Sequence, residues 1–535
     1  MNTIPTKYVI GDDSLDLDLF ARICRAEVTV ELGDGARQRI AKCDDFRQEL
    51  IKSGERIYGV NTGFGKLADT VIPQSDLALL QVNLIRSHAV GWGTTLNFEE
   101  ARSLIMLRAQ SLSHGFSGAR VAVVEQLLWL LEKKLHPWIP SRGSVGASGD
   151  LAPLSHLALV LMGEGHFIDA DGERVEAAPV LKQLGREPLV LEAKEGLALI
   201  NGTQLMNGLG LLGVHRAQRL VQRAVLAATL SLEALEGGAK PFGETYHSIR
   251  PHPEIQAVAA SFRALLKDSA ILSGHQDCTR VQDPYSVRCS PQVLGATLGV
   301  VRQVGRVMLR ESGSVTDNPV LFPDEGKVVT GGHFHGQPLA FQLDFLYQAV
   351  CELANIAERR INLLLSGNNG RLPRFLADQP GLESGLMIAQ FLAAALVTEN
   401  KSKAFPAAID SVPTSDNQED HVSMGSISAL KLEGVLSRVE AVVSLELITA
   451  ARAIQYISEP ALAARAGREP LKLSPAMQDL LQELDQLADL SPGDRPLTDD
   501  LSAVSDWVRH GSLPAATRDC LSPLYWDGAK WGDVL

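Results

Sequence analysis

Positive charge is in short supply in this chain: 50 Lys and Arg stand against 63 Asp and Glu, a formal net charge of −13. Phosphate backbones are held by clustered cations, so nucleic acid is excluded as a partner. Cysteine is scarce too. The six residues, Cys24, Cys43, Cys278, Cys289, Cys351 and Cys520, form no Cys-x-x-Cys pair and no Cys/His cluster with zinc spacing. No metal site is expected, and the thiols read as the reduced cysteines of a cytoplasmic protein. Long apolar runs are missing: FLAAALV (391–397) falls far short of the roughly 20 residues that span a bilayer. The start, MNTIPTKYVIGDDSLDLD, turns acidic before any signal-peptide core develops. Few stretches alternate with period two, which excludes large sheets, and there is no internal repeat or low-complexity segment.

What the chain does have is helical periodicity. Hydrophobic residues make up 45% and charged residues 21% of 535, a composition that folds rather than staying disordered. Residues 1–115 are mixed, short apolar stretches broken by Gly, Pro and Asp, and are expected to form a smaller mixed α/β region. Residues 116–535 are expected to form an elongated long-helix bundle, so the fold class is mainly α. VAVVEQLLWLLEKKL (121–135) is apolar on most faces and stops before Pro137. Stretches at 204–236, 337–365 and 426–456 each run near 30 residues. In the last, Ile427, Leu430, Val435, Val439, Val442, Leu445, Ile448 and Ala451 recur at steps of three to four. Helices of that length pack as a bundle. Two shorter patterns, 475–489 and 498–510, flank the breaker SPGDRP.

Such a protein can be an inert helical scaffold, and apolar stripes are mostly core. The loops between the helices argue otherwise, because they are dense in Tyr, Asn, His, Gln, Arg and Glu among glycines. The central one is GSVGASGDLAPLSHLA (143–158). A hydrolase elbow needs Gly-x-Ser-x-Gly, and here Asp150 occupies the second glycine's place; Phe116-Ser117-Gly118 fails similarly. A phosphate loop needs a lysine that is not there.

The segment resembles the signature of the aromatic amino-acid ammonia-lyases and aminomutases. In that family an Ala-Ser-Gly tripeptide cyclises and loses water to give a methylidene-imidazolone, an electrophile that no standard side chain supplies. The resemblance implies that the group forms from Ala147, Ser148 and Gly149, with no external cofactor. Gly149 leaves its nitrogen unhindered, and Ser148 supplies the hydroxyl that departs as water. Further segments match in order: YGVNTGFG (58–65), LQVNLIRSHAVGWG (80–93), ALINGTQ (198–204), VQDPYSVRCSPQ (281–292), GGHFHGQP (331–338) and SVPTSDNQEDHVSM (411–424). Together they imply a mostly helical homotetramer whose active sites are shared between subunits, acting on a small amino acid.

By that resemblance Asn201 contacts the prosthetic group, Arg288 holds the substrate carboxylate, and Tyr58 is the general base, provided the site depresses its phenol. Tyr285 and Gln282 orient substrate, Phe334 packs beside the prosthetic group, and His88 lies near the substrate ring. Glu419 follows a Gln as in the histidine-acting members, and a carboxylate suits an imidazole where a phenyl ring would leave it unpaired. The expected reaction is elimination of ammonia from L-histidine to give trans-urocanate, the first step of histidine degradation. The alternatives are a tyrosine or phenylalanine ammonia-lyase, an aromatic aminomutase, or an inactive scaffold, and Glu419 has a second reading as a helix N-cap. His333, Gly336-Gln337 and Trp92 depart from the histidine-acting pattern. Cyclisation and dehydration remove two waters, so intact mass spectrometry should read about 36 Da below the sequence value, and Ser148→Ala should abolish both the loss and the activity.

Overall fold

A computed structural model describes residues 5–273, 281–465 and 467–526; Cys278 lies outside them. Five helices matter for the site: α1 (Leu151–Leu161), α2 (Gln204–Ala234), α3 (Ser290–Ser312), α4 (Gln337–Leu365) and α5 (Gly425–Ser458). The helices α2, α4 and α5 lie where the apolar periodicity put them, and α5 packs along both of the others. Pro475–Leu487 and Thr498–His510 also form as expected, and Val121–Glu132 ends a turn ahead of Pro137. The 23-residue α3 was not anticipated. Its buried stripe, Leu294, Leu298, Val301, Val304 and Met308, recurs at helical steps, and its glycines admit neighbours: a Cβ at Gly305 would lie 2.4 Å from the Trp526 ring.

Strands are short and few. Lys7–Ile10 pairs in parallel with Thr29–Leu32, and Trp92–Thr95 pairs antiparallel with Pro140–Arg142, which ties the N-terminal region to the lead-in of the 143–149 loop. One buried apolar core runs from Tyr8 to Leu524, so the residues on either side of position 115 share it. No helix among the described residues is long and apolar enough to cross a membrane.

The direction of the long helices organises everything else. α2, α4 and α5 run parallel, each beginning at the 143–149 loop. At α2, Met206 N donates to Asp150 Oδ2 (3.0 Å). At α4, a Cβ on Gly336 would meet Met206 Cε at 2.5 Å and Ser423 Oγ at 3.0 Å. At α5, Ser426 Oγ donates to Ser144 O (2.6 Å). α3 runs the other way and ends beside Thr203, which donates to Glu311 Oε1 (2.5 Å).

Toward the opposite end, Arg360 of α4 forks onto Glu446 of α5 (2.5 and 2.8 Å), and both are wholly buried. Ser231 of α2 donates to the same carboxylate (2.7 Å), and Arg360 Nη1 reaches Ser286 O (3.1 Å) just before α3. Removing the carboxylate strands a buried guanidinium. Glu446→Ala should therefore destabilise the fold by about 3–5 kcal/mol, read as a lower urea midpoint at unchanged slope.

Candidate active site

The 143–149 loop is held on all sides by backbone bonds. Ser423 Oγ donates to Gly146 O (3.1 Å), Met424 N to Val145 O (2.9 Å), and Gly146 N to Ser144 Oγ (3.0 Å). Gly149 sits at φ +79°, where only glycine is at ease, and an added Cβ would lie 2.2 Å from Gly202 O. It is bridged to Gly202 through Asp150 N, which donates to Gly202 O (2.6 Å), so the nitrogen of Gly149 is left out of that pairing. A glycine with an uncommitted amide, clamped in a tight bend two residues after Ala147, suits the backbone cyclisation that the tripeptide implies.

Two expected partners reach Ser148 directly. Its Oγ donates to Glu419 Oε1 (2.5 Å), and Asn201 Nδ2 donates to its carbonyl (3.2 Å). Glu419 is half-buried, and its other oxygen accepts from Thr414 Oγ1 (2.8 Å). It lies in an antiparallel bridge with Thr414, six residues ahead of α5, which overturns the reading of Glu419 as a helix N-cap. Asn201 is buried with Oδ1 unpartnered, and Arg108 Nη1 grips its carbonyl (2.7 Å). The N-termini of α1, α2, α4 and α5 gather around this loop, a setting that favours negative charge there.

Tyr58 lies half-buried, its hydroxyl accepting from Gly65 N (3.3 Å) on a loop that packs against Ser415. Burial raises its pKa, and the nearby Glu419 and Asp317 carboxylates raise it further, against a weaker opposing pull from Gly65 N. The depression that a phenolic base needs is therefore absent from the single chain. His88 closes the helix Leu77–His88. Its Nδ1 donates to Leu84 O (2.9 Å). Phe334 is half-buried two residues before Gly336. Of the departures from the family pattern, His333 and Trp92 are exposed and Gln337 opens α4.

Gln282, Tyr285 and Arg288 are elsewhere. Gly238 N, just beyond α2, donates to Asp283 Oδ2 (2.6 Å), whereas Asn201 lies just before α2 begins. A helix of 31 residues is about 45 Å long, so this trio is held far from Ser148. The Arg360 to Ser286 bond gives a second ruler, roughly 35 Å along α4 from Gln337. Gln282 and Tyr285 are exposed, Tyr285 at 72%, with the Arg288 guanidinium 4.7 Å from the tyrosine ring centroid.

Sequence reasoning passed over three residues that brace the site: Asp150, Arg108 and Thr414. Asp150 appeared only as the residue that spoils a hydrolase motif. Buried completely, it accepts from Met206 N and from Ser144 Oγ (3.1 Å). Arg108 carries no local signal, because only the fold brings it to Asn201. Among the described residues no His, Cys, Asp or Glu cluster could hold a metal.

With this geometry in place, comparison with known proteins is direct. Residues 15–486 match the family described as aromatic amino acid lyase. The histidine ammonia-lyase of Deinococcus radiodurans is 50% identical over 449 residues, covering 84% of this chain and 86% of its own. Among solved structures, histidine ammonia-lyase from Trypanosoma cruzi superposes with a TM-score of 0.87 at 38% identity, covering 99% of this chain and 97% of that one. Tyrosine aminomutase from Streptomyces globisporus gives 0.87 at 35%, covering 97% and 98%. The chain belongs to the aromatic amino acid lyase family, enzymes that break a carbon–nitrogen bond.

Burial pushes the Asp150 carboxyl up to about 7, outweighing the hydrogen bonds it accepts. A carboxyl raised on folding favours the folded state at low pH, and that contribution is lost as pH climbs from the unfolded value to the folded one. Against Asp150→Asn, which keeps the shape without the charge, the wild type should lose thermal stability between about pH 4 and pH 7 and then run level. Melting temperature against pH for the two proteins checks this.

Proposed function

We propose that this protein eliminates ammonia from L-histidine to give trans-urocanate, acting in the cytoplasm through a methylidene-imidazolone formed from Ala147, Ser148 and Gly149. The observation that carries the substrate choice is the Glu419 carboxylate beside Ser148. Once the Ser148 hydroxyl has left as water, Glu419 Oε1 loses its donor and faces the site as a half-buried acceptor. An imidazole N–H satisfies such a group; a phenyl ring does not. The 50% identity to a histidine ammonia-lyase supports the same reading.

The prosthetic group supplies an electrophile that binds substrate and activates it for elimination. This chain's own residues do the rest. Asn201 is the donor toward the electron-rich edge of the group, its backbone fixed by Arg108. Tyr58 takes the β-proton, and because burial holds its phenol high, the positive charge of the substrate's ammonium is what brings it into range. Arg288 pairs with the substrate carboxylate, assisted by Gln282 and Tyr285, while Phe334 packs against the group.

The rulers set by α2 and α4 support a shared site. Arg288 is some tens of ångströms from Ser148 in its own chain, so the carboxylate clamp comes from another copy, and a closed homotetramer built on the long helices supplies it. Mixing inactive Ser148→Ala with inactive Arg288→Gln should then restore activity at about a quarter of the sites when subunits assemble at random, because some sites draw both intact residues. A mixture that stays inactive, or an active monomer by light scattering, would contradict the shared site.

The substrate reading is tested by kcat/KM for histidine, tyrosine and phenylalanine, following urocanate absorbance. Glu419→Gln should lower the histidine value by roughly a hundredfold or more. Preference of the wild type for tyrosine, or conversion to a β-amino acid, would favour the aminomutase that the Streptomyces globisporus structure represents.

A further inference from the structure

Partway along α2, well away from the catalytic loop, a buried and a half-buried arginine lack enough partners. Arg223 is only 2% exposed, and neither its Nε nor its Nη1 has an acceptor. Arg219, one turn earlier, has an unpartnered Nε. Both direct Nη2 at a single oxygen, Gly511 O, at 2.9 Å from Arg219 and 2.5 Å from Arg223. Two guanidiniums sharing one neutral acceptor leave three donors, Arg219 Nε and Arg223 Nε and Nη1, unused, at a cost in burial. The Trp507 ring, 4.2 Å from the Arg223 guanidinium carbon, offsets part of that cost. Burial lowers the pKa of Arg223 to about 9, the neighbouring Arg219 adding to the shift.

These groups open on a cavity of about 530 Å³ between α2 and the C-terminal helices, which Arg518 and His215 also line. Two carboxylates line it as well, and both are engaged. Asp16 accepts from Leu19 N (2.8 Å) as a helix cap, and Asp18 pairs with His215 Nε2 (3.8 Å). Three arginines therefore line the cavity against two aspartates, in a protein that is acidic as a whole.

We infer that this cavity is a binding site for a small phosphate-bearing anion. Guanidinium forks match oxyanions, and cations entering from α2 and from the Ala515–Cys520 helix suit a tetrahedral dianion with acceptors on every side better than a carboxylate with one edge. The volume falls in the range of small-molecule sites and leaves room for an organic remainder against Tyr525 and Trp526. Arg219 lies 15 residues into α2, roughly 22 Å from its start, so the site is separate from the catalytic loop.

The test uses the full-length assembled enzyme, with inorganic phosphate and acetate as probes at matched ionic strength, followed by melting temperature and titration calorimetry. Phosphate should raise the melting temperature saturably, as binding to the folded state alone requires, and acetate should not. Arg518→Gln, at an exposed position that should not disturb folding, should weaken phosphate binding roughly tenfold. Arg223→Met should abolish saturation, and if it fails to fold, Arg518→Gln together with Arg219→Gln decides. Arg288→Gln should bind phosphate like the wild type, which separates this cavity from the substrate carboxylate clamp. A non-saturating response, equal responses to phosphate and acetate, unchanged binding in Arg518→Gln, or loss of binding in Arg288→Gln would each overturn the proposal.

Discussion

A long helix is a rigid spacer, and the 31 residues of α2 determine what one copy of this chain has and lacks. The start of α2 holds the Ser148 loop through Asn201 and Met206 N; its end holds the Gln282–Arg288 segment through Gly238 and Val287. Side chains reach a few ångströms, so neither group can cross the gap of about 45 Å. The chain thus holds the Ser148 loop and the Gln282–Arg288 segment at opposite ends of α2. Packing α4 and α5 parallel to α2 repeats the separation, and the wholly buried Arg360–Glu446 pair locks the three together.

The same parallel packing gives the loop its chemistry. Helix starts carry partial positive charge, and several of them converge on residues 143–149. Placing a carboxyl there is then less costly than burial elsewhere, and Asp150 occupies that place, fully buried and fastened to the first turn of α2. Its carboxyl helps hold the bend that sets Gly149 beside Gly202. Glu419 reaches Ser148 from a different direction, on a strand-like bridge rather than a helix, which leaves its carboxylate facing the Ser148 hydroxyl instead of capping backbone amides.

Tyr58 shows why isolated residues mislead. A tyrosine on a glycine-flanked loop reads as mobile and reactive, but the fold buries half of it beside two carboxylates, and each of those influences makes the phenol a weaker acid. Arg219 and Arg223 of α2 present another case, guanidinium donors placed in the fold without acceptors, far from the Ser148 loop.

By itself the sequence determined the helical class, the α2, α4 and α5 spans and the Ala147-Ser148-Gly149 loop, because apolar periodicity and small-residue runs are local properties that neighbours scarcely alter. It also carried Asn201 and Glu419, since each sits in a short motif. The stripe of α3, Leu294, Leu298, Val301, Val304 and Met308, was equally legible though passed over, while its glycines make sense only against Trp526 and other facing residues. The sequence did not reveal Arg108, Thr414 or the role of Asp150, which owe their positions to contacts 5 to 93 residues away along the chain. Only the tertiary structure decided which motifs meet: it joined Ser148 to Asn201 and Glu419, and it held Arg288 apart, because distance in a folded chain is set by helix length and packing, not by order along the sequence.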